Sequence, residues 1–462
     1  MLPIWKKIRT FSWITSGFVA KRKKILLASA VIGIGFFLFM TRVLPILPQP
    51  KQSERIGFVG RYTWATLPLE VQNQMSQGLT AIAQDGSPTP ALAQNWQVSD
   101  DGKNYTFTLR EGLTWQDGTP LKSSDLSYPF SDVSMEMTDE KTIVFHLKEP
   151  FAPFPVILSM PVFKDQTVGM SHYKVDQVKK NGEIIDQISL SGPQNIVYKF
   201  YPNLETAIQA FKLGEVDTLK DLLEISFDAQ WQKNLQIEKK LRNDEYLAAF
   251  FSLKDPILAD KTMRQALAYA ANKGPGTTRA LGPINPKSWA YNADVKNYDF
   301  DPAKAKDLFD KFFQGGTLEA TKSAAPAFKK EDVNLTISTT QTLLPEAEEL
   351  KKSWTETLGI KVKTEMINTM PDNFQVLLIG QEIPADPDQY PLWHSTQAQN
   401  FTHYQSPKVD KLLEDARRIL DQNKRKEKYD DFQRFLLEDA PAVFLYHPST
   451  YNLSRHSLAP TL

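Results

Sequence analysis

The stretch PALAQNWQVSDDGKNYTFTLREGLTWQDGTPLKSSDL, residues 90–126, decides the fold class. Residues 105–110 alternate polar and apolar side chains, which predicts a β-strand with one buried face. The Asp-Gly pairs on either side of this strand predict two tight turns, because an Asp-Gly pair suits the backbone of such turns. The residues after 121 predict the start of a helix with Ser or Asp as its N-cap. Pattern alone therefore predicts a β-meander, an arrangement found in many globular proteins.

The exact residues of this stretch carry more information than its pattern of polar and apolar positions. The string P-x-L-A-x-x-W-x-V-S-D-D-G, followed by Y-T-F-x-L-R-x-G-x-x-W-x-D-G-T-P, resembles the signature of the family 5 extracellular solute-binding proteins. These are the oligopeptide-, dipeptide- and nickel-binding receptors of ABC importers. Similar motifs follow at GEVD (214–217), LGIKV (358–362), DPD (386–388) and DAPAVFLY (439–446). The resemblance thus covers most of the chain after about residue 55.

The resemblance implies an α/β fold with two lobes, the type II, cluster C form of the periplasmic-binding-protein-like fold. The segment 127–141 is short, so we expect the extra domain of larger family members to be reduced. The predicted domain limits are, in chain order, a cytoplasmic basic tail at 1–24, a transmembrane helix at 25–47, a linker at 48–55, a first lobe at 56–245 to which 444–462 return, and a second lobe at 246–443.

Periodicity places two strand–helix–strand units within these lobes. Residues 196–200 predict a strand, and Asn203 then caps a helix at 204–213 that ends at Gly214. A second unit follows at 333–366. Strand–helix–strand units of this kind are typical of α/β lobes. On the predicted helix at 260–272, we interpret Arg264 as a structural partner in an ion pair.

The N-terminal region differs from the rest of the chain. Residues 25–40 carry no charge, and beyond Arg42 the apolar character resumes up to residue 47. A bilayer span needs about 20 apolar residues, so the Arg42 side chain would have to reach the interface. The basic cluster at 21–24 predicts a cytoplasmic N-terminus, with the rest of this single-pass chain outside the cell membrane. A cleaved signal peptide is the alternative, although no small-residue cleavage site follows.

Composition excludes several classes of function. The chain has 462 residues, 54 Lys and Arg against 54 Asp and Glu, and therefore a formal net charge of +0. A nucleic-acid-binding protein would show a basic excess, so we expect no nucleic-acid partner. The sequence contains no Cys. Disulfides, thiolate metal sites, cysteine catalysis and a lipoprotein anchor are therefore excluded.

No catalytic motif is present in the sequence. It lacks a G-x-S-x-G nucleophile elbow, a phosphate-binding G-x-x-x-x-G-K loop and an H-E-x-x-H metal motif. His394 and His403 are nine residues apart, which is weak support for a metal site, and we interpret them as solvated loop residues. The sequence predicts a protein that is not an enzyme and needs no cofactor.

Binding is the chemistry that the sequence supports. Two lobes joined by crossing strands create a cleft, and aromatic residues near the predicted strand ends give it contact area: Tyr62, Trp64, Trp393 and Tyr446. In peptide-binding relatives, an Asp shortly before the D-P-D motif holds the α-amino group of the peptide. Glu382 is the nearby acid in this sequence that can replace it.

The resemblance predicts the extracytoplasmic substrate-binding component of an ABC importer. It would capture a peptide or a similar small solute by hinge closure, with the hinge near Tyr246 and 442–446, and deliver it to a membrane permease. We expect a monomer. The alternative is a membrane-anchored interaction or scaffold protein with a degenerate cleft, which a cleft filled by its own side chains would favour.

Overall fold

The computed structural model describes residues 21–42 except 26, 30 and 40, and residues 53–455 except 226, 228–230, 232–234, 274–277 and 315–328. The chain divides into two units, Met1–Ser53 and Glu54–Leu462. In the first unit, residues 21–42 are helical wherever they are described. None of the described helices combines the length and the apolar character needed to cross a bilayer. The span predicted at 25–47 therefore gains no support, and its residues 43–47 lie outside the described part.

The second unit contains strands and helices in alternation. Its strands are β1 (Ser53–Val59), β2 (Thr80–Ile82), β3 (Pro88–Pro90), β4 (Ala93–Val98), β5 (Asn104–Leu109), β6 (Val133–Met137), β7 (Thr142–Leu147), β8 (Lys174–Asn181), β9 (Ile184–Ser191), β10 (Asn195–Tyr201), β11 (Thr218–Leu222), β12 (Leu235–Leu241), β13 (Glu245–Phe251), β14 (Asn334–Thr339), β15 (Lys361–Met366), β16 (Val376–Glu382), β17 (Ala442–Tyr446) and β18 (Ser449–Arg455).

Its α-helices are α1 (Leu69–Met75), α2 (Phe154–Ile157), α3 (Leu204–Leu213), α4 (Lys261–Ala270), α5 (Pro302–Phe313), α6 (Leu344–Leu358), α7 (Tyr390–Trp393), α8 (Pro407–Arg418) and α9 (Gln422–Asp439). The predicted caps of α3 are confirmed, because Asn203 accepts a hydrogen bond from the Thr206 amide and Gly214 has φ 80°. The prediction of a helix after residue 121 is wrong. Only one 3₁₀ turn, Ser123–Asp125, forms there before the chain becomes extended.

Four sheets organise the described part of this unit, and the pair β2-β3 is the smallest of them. The first-lobe sheet has the order β12-β18-β11-β1-β10-β9-β8, and the second-lobe sheet has the order β15-β14-β16-β13-β17. The small sheet, β4-β5-β7-β6, is inserted between β1 and β8 of the first lobe and forms its own core around Trp115, Phe107 and Phe145. The predicted two-lobed α/β fold is confirmed, whereas the reduced extra domain stays a prediction.

Strand β13 shows why the second lobe has two hydrophobic layers. Its run of apolar residues faces both sides of the sheet, because successive side chains of a strand alternate between faces. Leu247, Ala249 and Phe251 belong to the core that includes residues of α4 and α6. Tyr246 and Phe250, on the other face, belong to the core that includes residues of α8 and α9.

The point at which the chain returns to the first lobe needs a correction. Residues 444–446, which the sequence assigned to the first lobe, lie in β17 and pair with β13 of the second-lobe sheet. The next strand, β18, pairs with β11 and β12 of the first-lobe sheet. The return crossing is therefore at 447–448. The whole apolar strand β17 thus belongs to the second lobe, including the three residues that the sequence assigned to the first lobe.

Arg264 on α4 is structural, but its hydrogen-bond partners differ from the prediction. The side chain is 4% exposed and donates hydrogen bonds to the carbonyl oxygens of Leu258 (2.9 Å), Ala259 (2.7 Å) and Asp439 (2.7 Å). Backbone carbonyls, rather than a carboxylate, thus satisfy the guanidinium. It joins the N-terminal end of α4 to the C-terminal end of α9.

Candidate functional site

The chain crosses between the two lobes at residues 242–244 and 447–448, and the carboxyl ends of several strands from both lobes face these crossings. In the second lobe, β14 and β16 are parallel, and β16 and β17 both run antiparallel to β13, so their carboxyl-terminal residues Thr339, Glu382 and Tyr446 point toward the same edge of the sheet. In the first lobe, the parallel strands β1 and β11 end at Val59 and Leu222. Ligands of open α/β sheets bind outside the carboxyl ends of the strands. The space between the two edges is therefore the candidate site.

The two crossings that connect the lobes are hydrogen-bonded to each other. The Arg242 amide of one crossing donates to the Pro448 carbonyl of the other at 2.8 Å. His447 is 4% exposed, and its Nδ1 donates to the Glu245 carbonyl at 2.8 Å. The crossings thus form one joint between the lobes. The hinge motion itself stays a prediction.

His447 at this joint should make folding stability depend on pH. Burial lowers the pKa of its imidazole, so the folded state favours the neutral ring. The unfolded chain takes up a proton near pH 6.5, and a group with a lowered folded pKa loses its stabilising contribution as the pH falls through that range. We expect His447→Gln to reduce the loss of stability between pH 7 and pH 5 by up to about 1 kcal/mol. Urea denaturation at both pH values measures it.

The matched control for this prediction is His172→Gln, because His172 is exposed. That variant should retain the wild-type difference between the two pH values. If His447→Gln loses as much stability between pH 7 and pH 5 as wild type does, other groups cause the acid sensitivity.

Glu382 is the predicted site residue that lines a cavity at the cleft. It is exposed at the end of β16 and lines a cavity of about 460 Å³ between residues 151–157 of the first lobe and residues 381–399 of the second lobe. We call this the Glu382 cavity. Glu245 lies directly opposite on β13. Burial and the neighbouring Glu382 raise the pKa of Glu245, although Arg242 opposes this. Glu382 is thus the exposed acid of this pair.

Tyr446 also lies at the cleft edge, but its hydroxyl already has a partner. It donates a hydrogen bond to Oε1 of Glu346 on α6 at 2.8 Å. Burial, followed by this hydrogen bond, raises the pKa of the phenol. The buried Oε2 of Glu346 has no hydrogen-bond partner in the described part of the chain. Tyr446 can therefore offer its ring to a ligand, whereas its donor is used within the protein.

Tyr62 and Trp64 follow β1 at the edge of the first lobe. The Tyr62 hydroxyl donates to the Val59 carbonyl at 2.9 Å, and its ring packs edge-on against Phe200. Trp64 is half-buried beneath Lys180, whose Nζ is 5.3 Å from the ring centre. No hydrogen bond or ring contact among the described residues joins either side chain to Glu382 or Tyr446. Their role in ligand binding stays a prediction.

Trp393 requires a correction, because it is a core residue in this conformation. Its side chain is 0% exposed, and its ring centre is 6.1 Å from Phe250, 6.3 Å from Tyr404 and 6.4 Å from Phe444. These residues all belong to the layer beneath α8 and α9. Sequence alone did not show that the Trp393 side chain faces inward.

Two arginines that the sequence analysis missed hold the D-P-D motif in place. Asp386 is 6% exposed and forms a two-point ion pair with Arg425 of α9, at 2.9 and 3.2 Å. Asp388 accepts from Nε of Arg417 on α8 at 3.0 Å. A charged residue in a helix is usually solvated, so their sequence context gives no signal of these pairs. The motif therefore fixes the segment that follows Glu382.

The described residues contain no group of three or more His, Asp or Glu side chains arranged to hold a metal ion. His394, predicted as a solvated residue, is instead 4% exposed and lies 3.4 Å from Glu414. Its ring also stacks on Tyr390, with the ring centres 4.1 Å apart. We therefore interpret His394 as part of the packing around α7.

The profile of the bacterial extracellular solute-binding proteins, family 5, matches residues 87–402. Among curated proteins, the oligopeptide-binding protein AppA of Bacillus subtilis is 21% identical over 87% of this chain and 88% of its own length. The dipeptide-binding protein of Escherichia coli is 24% identical over 78% of this chain and 81% of its own length.

Solved structures show the same fold. NikZ from Campylobacter jejuni, solved in complex with Ni(L-His), has a TM-score of 0.68 and 23% sequence identity, covering 88% of this chain and 95% of its own. AppA from Bacillus subtilis, solved in complex with a nonapeptide, has a TM-score of 0.63 and 20% identity, with the same coverage. The similarity in fold thus extends over both lobes.

Proposed function

This chain belongs to the bacterial extracellular solute-binding proteins of family 5, and from that premise we propose that it captures a peptide or a similar small solute between its lobes. The captured solute passes to the membrane permease of an ABC importer. The chain acts as a monomer and releases the solute chemically unchanged. The names of similar proteins support this solute class, since they include oligopeptide-, dipeptide- and di/tripeptide-binding proteins.

The observation that carries the proposal is the exposed Glu382 carboxylate in its cavity. A ligand amine enclosed in a closed cleft needs an anionic partner, because a buried charge without one costs several kcal/mol. Glu382 ends β16 at the edge where both lobes present their strand ends. It supplies this partner without disturbing the core, since its side chain is exposed. The Tyr446 ring and the first-lobe residues Tyr62 and Trp64 add apolar contact area.

Glu382→Gln tests this proposal. We expect the substitution to weaken the binding of a peptide with a free amino terminus by roughly 1–3 kcal/mol, the scale of a charged hydrogen bond lost at a buried site. Binding of the N-acetylated peptide should not change, because it has no ammonium group. Calorimetry with both forms of a peptide selected from a short-peptide library provides the measurement.

The matched control is Gln381→Ala, which removes a polar side chain of the same cavity without removing a charge. It should affect both forms of the peptide equally. Equal losses for the two forms in Glu382→Gln would remove Glu382 from amine recognition. If the library yields no ligand at all, the scaffold function with a degenerate cleft becomes the better proposal.

We also propose that the N-terminal region anchors the chain in the cell membrane, with residues 1–24 in the cytoplasm. The uncharged run 25–40 and the basic cluster before it support this topology. Protease treatment of intact cells should then release the ectodomain and leave a small fragment in the membrane fraction. Release of the full-length protein by a carbonate wash would contradict the anchor.

A further inference from the structure

A small cavity beside β17 in the second lobe is lined by three cations. Its volume is about 10 Å³, which is room for about one water molecule or one small ion. Its wall includes Lys273, Arg279 and Lys296, together with residues 442–444 of β17. No Asp or Glu is among the described residues that line it. We call it the Lys273 cavity. Positive charge thus surrounds a space of the size of one ion.

Lys273 is a buried cation with no carboxylate partner in the described part of the chain. It is 6% exposed, and its Nζ donates to the carbonyl oxygens of Ala268, Ala271 and Tyr298. Three acceptors match the three N–H donors of an ammonium group, whereas a neutral amine has only two. Burial, followed by the charge of Arg279, nevertheless lowers the pKa of Lys273 to about 6. The hydrogen bonds therefore require a charged form that the surroundings disfavour.

Arg279 brings a second cation to the cavity, and its partners are also backbone carbonyls. Its Nη1 donates to the Phe444 carbonyl at 2.8 Å, and its Nη2 donates to the Asn297 carbonyl. Burial lowers the pKa of the guanidinium to about 10, and Asp299 opposes this without forming an ion pair that the described residues show. Nε has no acceptor within the described residues, so this guanidinium has a donor in reserve.

Lys296 is the third cation, and an acid only partly neutralises it. Its Nζ lies 3.0 Å from Oε2 of Glu438, and its side chain is 28% exposed. Glu438 is shared, because its Oε1 lies 3.3 Å from Nζ of Lys261. Within the described part of the chain, the ammonium group of Lys296 donates to Glu438 alone, which leaves two of its three N–H donors for another acceptor.

The backbone beside the cavity has a conformation that fits a preformed site. Tyr298 has φ 47°, a left-handed conformation that bulky residues rarely adopt. Its carbonyl accepts from Lys273, and its hydroxyl donates to the Leu437 carbonyl at 2.8 Å. Strain of this kind persists only where surrounding contacts enforce it, and it is frequent at ligand sites. The contacts of Tyr298 thus fix one wall of the cavity.

We propose that the Lys273 cavity binds one small monovalent anion of the size of chloride. The remaining N–H donors of Arg279 and Lys296 hydrogen-bond the ion, and the Lys273 ammonium attracts it through space. A phosphate, a sulfate or a carboxylate is too large for a cavity of this volume. The bound ion offsets the mutual repulsion of the buried cations and thereby stabilises the second lobe beside β17. This inference is independent of the proposed function, and its test needs no peptide.

Crystals of the full-length protein grown in sodium bromide locate the ion directly, because bromide replaces chloride and scatters anomalously. We expect one anomalous peak in the Lys273 cavity, within hydrogen-bond distance of Arg279 and Lys296. A cavity that holds only water under these conditions overturns the proposal, whatever the protein does with peptides.

Thermal unfolding gives a second readout in solution. Chloride is raised from about 10 to about 300 mM, with gluconate replaced at constant ionic strength, since gluconate is too large for the cavity. The Tm of wild type should rise by about 1–2 °C, because an ion that binds only the folded state stabilises it by mass action. Lys273→Met and Arg279→Met should abolish this rise.

Lys261→Met is the matched control, because Lys261 shares Glu438 with Lys296 but does not line the cavity. It should retain the wild-type rise. If Lys273→Met and Arg279→Met do not fold, Lys296→Met carries the comparison, since this side chain is partly exposed, and it should reduce the rise. An equal rise in wild type and in all cavity variants would place the chloride effect elsewhere and overturn the site. A bromide peak together with a loss confined to the cavity variants establishes it.

Discussion

Arg425→Met should lower the free energy of unfolding by about 3–5 kcal/mol, the loss expected when one partner of a buried ion pair is removed. Both Asp386 and Arg425 are 6% exposed, and two hydrogen bonds join them. The substitution would leave the Asp386 carboxylate buried without its cation. It would also remove the hydrogen bond from Nε of Arg425 to the Ala416 carbonyl at 2.9 Å. Urea denaturation followed by tryptophan fluorescence measures the change.

The same helix supplies the matched control. Arg434 pairs with Asp431 on the surface of α9, and its side chain is 53% exposed. Arg434→Met should therefore cost less than about 1 kcal/mol. Combining Asp386→Asn with Arg425→Met should restore part of the stability, because the buried carboxylate is then neutral. Equal losses in the two single variants would show that the buried pair contributes no more than a surface pair.

This pair also shows which parts of the fold could be predicted from sequence. The D-P-D motif at 386–388 was identified, but its partners Arg417 and Arg425 lie on α8 and α9, at a distance from the motif in sequence. Which charged side chain of a helix turns inward depends on tertiary packing, and that information is not local.

The sequence also predicted only part of the candidate site. Glu382 was found from its position before the motif, and the structure places it in a cavity at the cleft. Trp393 was named for its motif and aromatic type, yet it is buried behind the same segment. An aromatic residue after a strand can face the cleft or the core with equal sequence support, since α7 is only a single turn. The ion pair of Arg417 with Asp388 was not predicted, because the two residues are distant in sequence.

Trp393→Ala should destabilise the protein by about 3–5 kcal/mol, as is usual for removing a large aromatic side chain from a core. The side chain fills the space among Phe250, Tyr404 and Phe444, and neighbouring helices cannot fully close the resulting cavity. Trp393→Phe should cost much less. Its buried Nε1–H makes no hydrogen bond within the described residues, so Phe loses volume but no hydrogen bond. Urea denaturation of both variants gives the two values.

The control for Trp393 is Trp64→Ala, since Trp64 is only half-buried at the edge of the first lobe. It should cost less than half as much stability as Trp393→Ala, because less apolar surface is lost from a buried environment.

Calorimetry with a bound peptide tests whether Trp393 is a core residue or a ligand contact. A core role predicts that Trp393→Phe binds the peptide as wild type does, whereas a ligand contact predicts weaker binding at unchanged stability. The second outcome would return Trp393 to the site, and would require the segment 390–393 to turn outward in the conformation that binds ligand.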